Sequence, residues 1–160
     1  MIIQPDFPNG FVIFCDDVRD EVNGKQTLVG TYGGEMTVYG TAPINLASLG
    51  VVIRYRDDPA NLPKAITFKI LKVAGDQTTS LFEAATEVPG LPAEFEFPEA
   101  TDEHSRKFVE IGFATRISPL ELTGPCQIKV RAYSGEDEIR LGSLRVKLAP
   151  PPQAEEAAAT

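Results

Sequence analysis

Cys126-Gln127-Ile128-Lys129-Val130-Arg131-Ala132 places an apolar or small side chain at every even position and a polar one at every odd position. A period of two puts successive side chains on opposite faces of an extended chain, so the stretch reads as a strand with one dry and one wet face. Turn residues follow at Ser134-Gly135-Glu136-Asp137, and a second apolar series begins at Ile139 and Leu141 and resumes at Leu144, Val146 and Leu148. The apolar set moves from odd to even positions across Gly142-Ser143. That shift predicts a β-bulge, because one inserted residue exchanges the faces of a strand. Together the two strands make a C-terminal hairpin.

The same pattern recurs upstream. Residues 107–117 set Val109, Ile111, Phe113 and Ile117 against Glu110 and Arg116 and end at Ser118-Pro119. Residues 51–56 alternate up to Asp57-Asp58-Pro59, and residues 65–73 carry Ile66, Phe68 and Ile70 before Gly75-Asp76. Shorter candidates occupy 81–88 and 93–97, bracketed by Pro89, Pro92 and Pro98. At the front, 11–15 and 27–32 read as strands joined through Asn23-Gly24, a dipeptide suited to the positive φ angles of a hairpin turn, and 36–39 adds another. Helix is confined to one or two turns at 45–49 and 98–107. Turn signals about every 8 to 12 residues, with no long helical period, predict an all-β chain: a single antiparallel β-sandwich, immunoglobulin-like or C2-like. The sandwich is expected over residues 1–149, with a disordered Pro/Ala/Glu tail over 150–160.

Composition agrees with one core of this kind. The 160 residues are 42% hydrophobic, with nine Phe, four Tyr and no Trp, a mix suited to pleated, half-buried surfaces. The formal net charge of −8 repels phosphate backbones and anionic headgroups, so neither nucleic acid nor membrane is an expected partner. The cations alternate singly with other residues, as at Arg54, Arg56 and Lys129, Arg131, which reads as solvated strand faces. Residues 1–10 lack the cationic start and apolar stretch of a secretory signal, and no run approaches the ~20 apolar residues that span a bilayer. The expected location is cytoplasmic, or the virion if the chain is phage-encoded.

Little of the sequence points to catalysis, and no enzymatic activity or cofactor is expected. Cys15 and Cys126 have no Cys-x-x-Cys or histidine partner at zinc spacing and read as reduced core thiols, with a disulfide or a reactive thiol as alternatives. His104 lies in a polar turn, and no Gly-x-Ser-x-Gly accompanies it. Gly30, Gly33 and Gly34 match no phosphate-binding loop and read as turn glycines. The pairs Asp16-Asp17 and Asp57-Asp58 stand at strand ends, where loop carboxylates can hold calcium. Adjacent residues on a strand diverge, however, so each pair offers one carboxylate per direction. Asp16, Asp17 and Arg19 are expected instead to form a structural polar cluster that sets the path from the first strand to the second.

Phe14-Cys15-Asp16-Asp17-Val18-Arg19-Asp20-Glu21, then Gly24-Lys25 and Leu28-Val29-Gly30-Thr31-Tyr32-Gly33, resembles a family of small uncharacterised proteins of bacteria and their phages. These share an N-terminal Cys-Asp-Asp stretch and a Gly-x-Tyr-Gly. Ser118-Pro119-Leu120-Glu121-Leu122 before the final hairpin is similar too. The resemblance implies a β-sandwich and no particular chemistry. The function expected is that of a non-catalytic interaction or structural module with protein partners, self-assembly included, as in an accessory component of a phage particle. The alternative is a soluble small-ligand or calcium-binding domain that uses loop carboxylates.

Overall fold

A computed structural model describes residues 6–99 and 106–151. The described strands are β1 (Asn9–Asp20), β2 (Gln26–Tyr32), β3 (Glu35–Tyr39), β4 (Ile44–Leu46), β5 (Leu49–Asp57), β6 (Ala65–Ala74), β7 (Gln77–Glu87), β8 (Val109–Ile117), β9 (Leu120–Leu122), β10 (Cys126–Ser134) and β11 (Asp137–Ala149). They make a four-stranded sheet in the order β2-β1-β5-β8, a five-stranded sheet in the order β3-β11-β10-β6-β7, and a two-stranded piece, β4-β9. The large sheets face one another as a β-sandwich. Phe14, Val51, Ile53 and Tyr55 from one meet Phe68, Ile70, Ile128, Val130 and Leu144 from the other.

The hairpin legible in the sequence supplies the centre of this core. Cys126, Ile128, Val130 and Ala132 are buried in it, and the predicted bulge is present: Val130 faces Gly142 while Arg131 faces Arg140, which leaves Leu141 as the extra residue. Asn23 and Gly24 adopt φ of 66° and 71° in the turn between β1 and β2, as the dipeptide requires. Three expectations are corrected. The pairing is antiparallel except that β3 runs parallel to β11. Residues 45–49 are not helical, since β4 and the start of β5 occupy them, and residues 93–97 form a turn closed by Phe95 N–H donating to the Pro92 carbonyl. His104 and residues 152–160 lie outside the described residues, as does most of the second predicted helical turn.

β1 departs from the simple one-sided pattern. Its phase of Phe11, Ile13 and Cys15 faces away from the main core, and Val12 and Phe14 point into it. Phe11-Val12-Ile13-Phe14-Cys15 is apolar throughout, so a period of two cannot decide which face is inner. Both faces are covered. On the far side of the four-stranded sheet, Cys15, Val18 and Val52 form a second cluster, backed by Ile13, Leu28 and Ala114.

What covers that far side is the β1–β2 hairpin itself. Gln26 pairs with Asp20 in the hairpin, yet its Oε1 accepts a bond from Arg54 at 3.3 Å, and Arg54 sits opposite Phe11. A straight strand would hold Phe11 and Asp20 roughly 30 Å apart, at about 3.3 Å per residue. β1 therefore bends beyond Cys15 and carries its hairpin back over the sheet as a flap. Leu49 to Ile53 of β5 is correspondingly buried at every position, the pattern of a strand covered on both faces.

Candidate functional site

Two of the residues expected to form a polar cluster, Asp16 and Asp17, lie at the bend. Asp16 leaves the strand where Gly30, opposite it, takes φ 65°, and a Cβ at Gly30 would collide with the Asp16 carboxylate. The phenol of Tyr32 donates to Asp16 Oδ1, and the Ser48 hydroxyl donates to the Asp16 carbonyl at 3.2 Å. Asp17 turns the other way and receives two guanidinium groups, Arg19 at 3.2 Å and Arg116 of β8 at 3.0 Å. Arg116 also donates to the Val18 carbonyl and so ties the flap to the edge of the sheet. The structure thus brings Asp17 and Arg19 together, gives Asp16 a separate partner, and adds Tyr32 and Arg116. Arg116 is distant in sequence, and nothing in the local pattern around Asp17 points to it.

Burial and charge shape the protonation of this region. The Tyr32 hydroxyl is pushed up to about 12, first by burial and then by its bond to the Asp16 carboxylate. The Cys15 thiol, beneath the flap, is raised chiefly by burial and next by the Asp16 and Asp17 charges. Cys126, in the main core, is raised by burial. Both cysteines are free and buried, and both are held as thiols rather than as the nucleophilic thiolate.

The second acidic pair stands far from the first. Cys15 pairs with Gly50 and Asn9 with Arg56, so Asp57-Asp58 lies at the opposite end of the sheet, roughly 20 Å away at about 3.3 Å per residue. Asp57 is buried and accepts from the Tyr55 hydroxyl at 2.6 Å and from the Asp58 backbone N–H at 2.8 Å; burial first, and then the Asp57 carboxylate, push the Tyr55 hydroxyl up. Asp58 caps a short 3-10 turn by accepting from Ala60 N–H at 2.9 Å. The four carboxylates do not converge. Among the described residues no group of three or more His, Cys, Asp or Glu side chains could hold a metal ion.

Beside Asp57 the outer face carries a stack of rings and guanidinium groups that sequence reasoning did not assemble. Arg56 lies over Phe11 and Phe108, 5.2 and 5.0 Å from their centroids, and Arg106 lies 5.3 Å over Phe7. Phe7 and Phe108 are themselves 6.2 Å apart. Glu110 fixes the arginine row from β8, 2.8 Å from Arg56 and 3.4 Å from Arg54. Phe11 and Phe108 stay 38% and 42% exposed. A cleft of about 360 Å³ adjoins the stack, lined by Phe7, Asp57, Asp58, Asn61, Arg106 and Asp137. Phe11, Arg54, Arg56 and Phe108 fall in stretches that read as strands, whereas Phe7 and Arg106 do not. Their convergence depends on cross-strand register, which no single stretch encodes.

No helix among the described residues is long and apolar enough to cross a membrane. No curated protein matches the sequence. The model of DUF6941, a family of unknown function, matches residues 10–147, a span that takes in the flap, the bend and both large sheets. By that match the chain belongs to the DUF6941 family.

Proposed function

We propose that the protein is a non-catalytic interaction module that docks a protein partner on the outer face of its four-stranded sheet, as an accessory component of a larger assembly such as a phage particle. The observation that carries this reading is the exposed stack in which Arg56 is held between Phe11 and Phe108. Aromatic and arginine side chains supply most of the energy where proteins bind one another, because they bury large rigid areas at small entropic cost. Glu110 and the rings hold the Arg56 head in one place before any partner arrives, which lowers the cost of ordering it. The buried carboxylate nearest the stack, Asp57, accepts from the Tyr55 hydroxyl and the Asp58 backbone N–H.

The test compares Arg56→Ala and Phe108→Ser with the parent chain as bait in the cell that makes it. A partner retained by the parent and lost by both variants, with their melting temperatures unchanged, supports the reading. Equal retention by all three chains sinks it. The assembly role is checked by sedimenting particles from that cell: the chain should travel with them, and the Arg56→Ala variant should remain in the supernatant.

A further inference from the structure

Four strand edges bound the two large sheets, and they differ in how well they are blunted. β2 belongs to the bent flap, β3 is short, and the pairing of β7 is interrupted by a register shift between Ile70 and Leu71. β8 has none of these devices. Its nine residues, Val-Glu-Ile-Gly-Phe-Ala-Thr-Arg-Ile, contain no proline and pair with β5 in unbroken register from Ile117 to Val109. A long, regular, uninterrupted edge of this kind presents a row of backbone donors and acceptors to another strand.

The flank beside β8 is also incompletely covered. Ile53 and Tyr55 of β5 are fully buried, whereas their neighbours on β8, Phe113 and Ile111, point to the same core and stay half-buried. Phe113 packs edge-on against Phe68 at 5.2 Å and against the half-buried Phe82 of β7 at 5.7 Å. The open flank is therefore apolar inside and bounded by backbone.

We propose that the occupant of this edge is a second copy of the same chain, its β8 paired antiparallel to the first about a two-fold axis at Phe113. That register sets Glu110 of each copy opposite Arg116 of the other, Ile111 opposite Thr115, and the small residues Gly112 and Ala114 opposite one another. The alternation of β8 puts Glu110 and Arg116 on the same outer face, so both cross-strand pairs join opposite charges. Centring the axis on Gly112 or Ala114 loses this match, so charge picks one register from those the edge could adopt. The two four-stranded sheets then run on as a single sheet across the axis, and the half-buried Phe113 and Ile111 gain cover. Edge pairing over nine residues buries little area, so the dimer is a reversible one rather than an obligate one. The proposal specifies one partner within the interaction-module reading, on which it rests only for the expectation that the chain engages protein.

The experiment is sedimentation equilibrium of the full chain, of mass 17.4 kDa, across a wide concentration range. A reversible monomer–dimer equilibrium is expected. Glu110→Lys and Arg116→Glu are then measured alone and mixed. Alone, each variant sets like charges opposite one another at both pairs and should dimerise about tenfold more weakly or worse. In the mixture both cross-strand pairs are again opposite in sign, so heterodimers should form more tightly than either variant dimerises alone. Loss of an ion pair within one chain cannot produce that recovery. If either variant fails to fold, amide exchange of the parent decides: residues 110–116 should gain protection as concentration rises, while β7 does not. A chain that stays monomeric at every concentration overturns the proposal, as does a mixture no tighter than its components or a dimer that leaves the β8 amides unprotected. Should the chain stay monomeric while Arg56→Ala still loses a foreign partner, the dimer fails and the interaction-module reading stands.

Discussion

Asp57 and Asp17 are carboxylates on neighbouring strands of one sheet, and burial gives them different weights. Asp57 is 5% exposed and satisfies the hydroxyl of the fully buried Tyr55, so Asp57→Ala leaves a donor without water or partner. Such a loss costs about 1–3 kcal/mol. Asp17 is 36% exposed and its arginine partners are more so, which brings Asp17→Ala to about 1 kcal/mol or less and Arg19→Ala to near zero. Urea unfolding of the three variants checks the order, and an Arg19→Ala cost equal to that of Asp57→Ala would contradict it. Tyr32 adds a pH dependence. Its hydroxyl ordinarily ionises near 10.0 and in the fold is held to about 12, so folding favours the neutral phenol. The stability it contributes is complete below pH 10.0 and is lost as pH rises towards about 12. Tyr32→Phe should flatten that alkaline fall in melting temperature, and an unchanged slope would show that Tyr32 is not its source. At this scale the sequence showed which residues carry charge but not their burial. Asp16 and Asp17 stand out beside an apolar run, while Asp57 reads like its neighbour Asp58 until the sheet buries one and leaves the other half-buried.

The flap formed by β1 and β2 is the element that a periodicity argument loses. Its strands and its Asn23-Gly24 turn were legible because alternation and turn chemistry are local. Its bend was not, because it depends on Gly30 at φ 65° facing Asp16 across the hairpin. Signals did exist: Leu49-Gly50-Val51-Val52-Ile53 is an unbroken apolar run, which a strand covered on one side only does not need. In the structure the bend shows where Cys15 and Val18 share a cluster at a spacing that a straight strand would split between faces. Gly30→Ala forces an L side chain into the left-handed region at about 1–2 kcal/mol and pushes on Asp16. The expected result is a looser flap, read as faster maleimide labelling of Cys15, which lies beneath it, with Cys126 in the main core unchanged. Equal acceleration at both thiols would indicate global destabilisation instead.

Across the whole molecule, alternating strands and regular turns were enough to specify a β-sandwich, because most strands write their inner face in their own residues, β1 and the start of β5 being the exceptions. Strand order was not, since pairing joins segments far apart in the chain: β5 lies between β1 and β8, and β10 between β11 and β6. The same distances bear on calcium. With Asp16-Asp17 and Asp57-Asp58 at opposite ends of one sheet, no oxygen-rich cage forms between them, and calcium is expected to leave the melting temperature where magnesium leaves it. A calcium-specific rise abolished by Asp58→Asn would reverse this and point to the cleft beside Phe7.

The parallel pairing of β3 with β11 also bears on how the protein is made. β3 is translated long before β11, so Met36 and Val38 find their neighbours, Val146 and Leu148, only after the strands between them have followed. Until then these two apolar residues have no strand beside them in the five-stranded sheet. Synthesis therefore carries an interval in which β3 is without its partner strand and open to chaperones or to neighbouring polysomes. Its length is set by the rate of translation rather than by the stability of the finished fold.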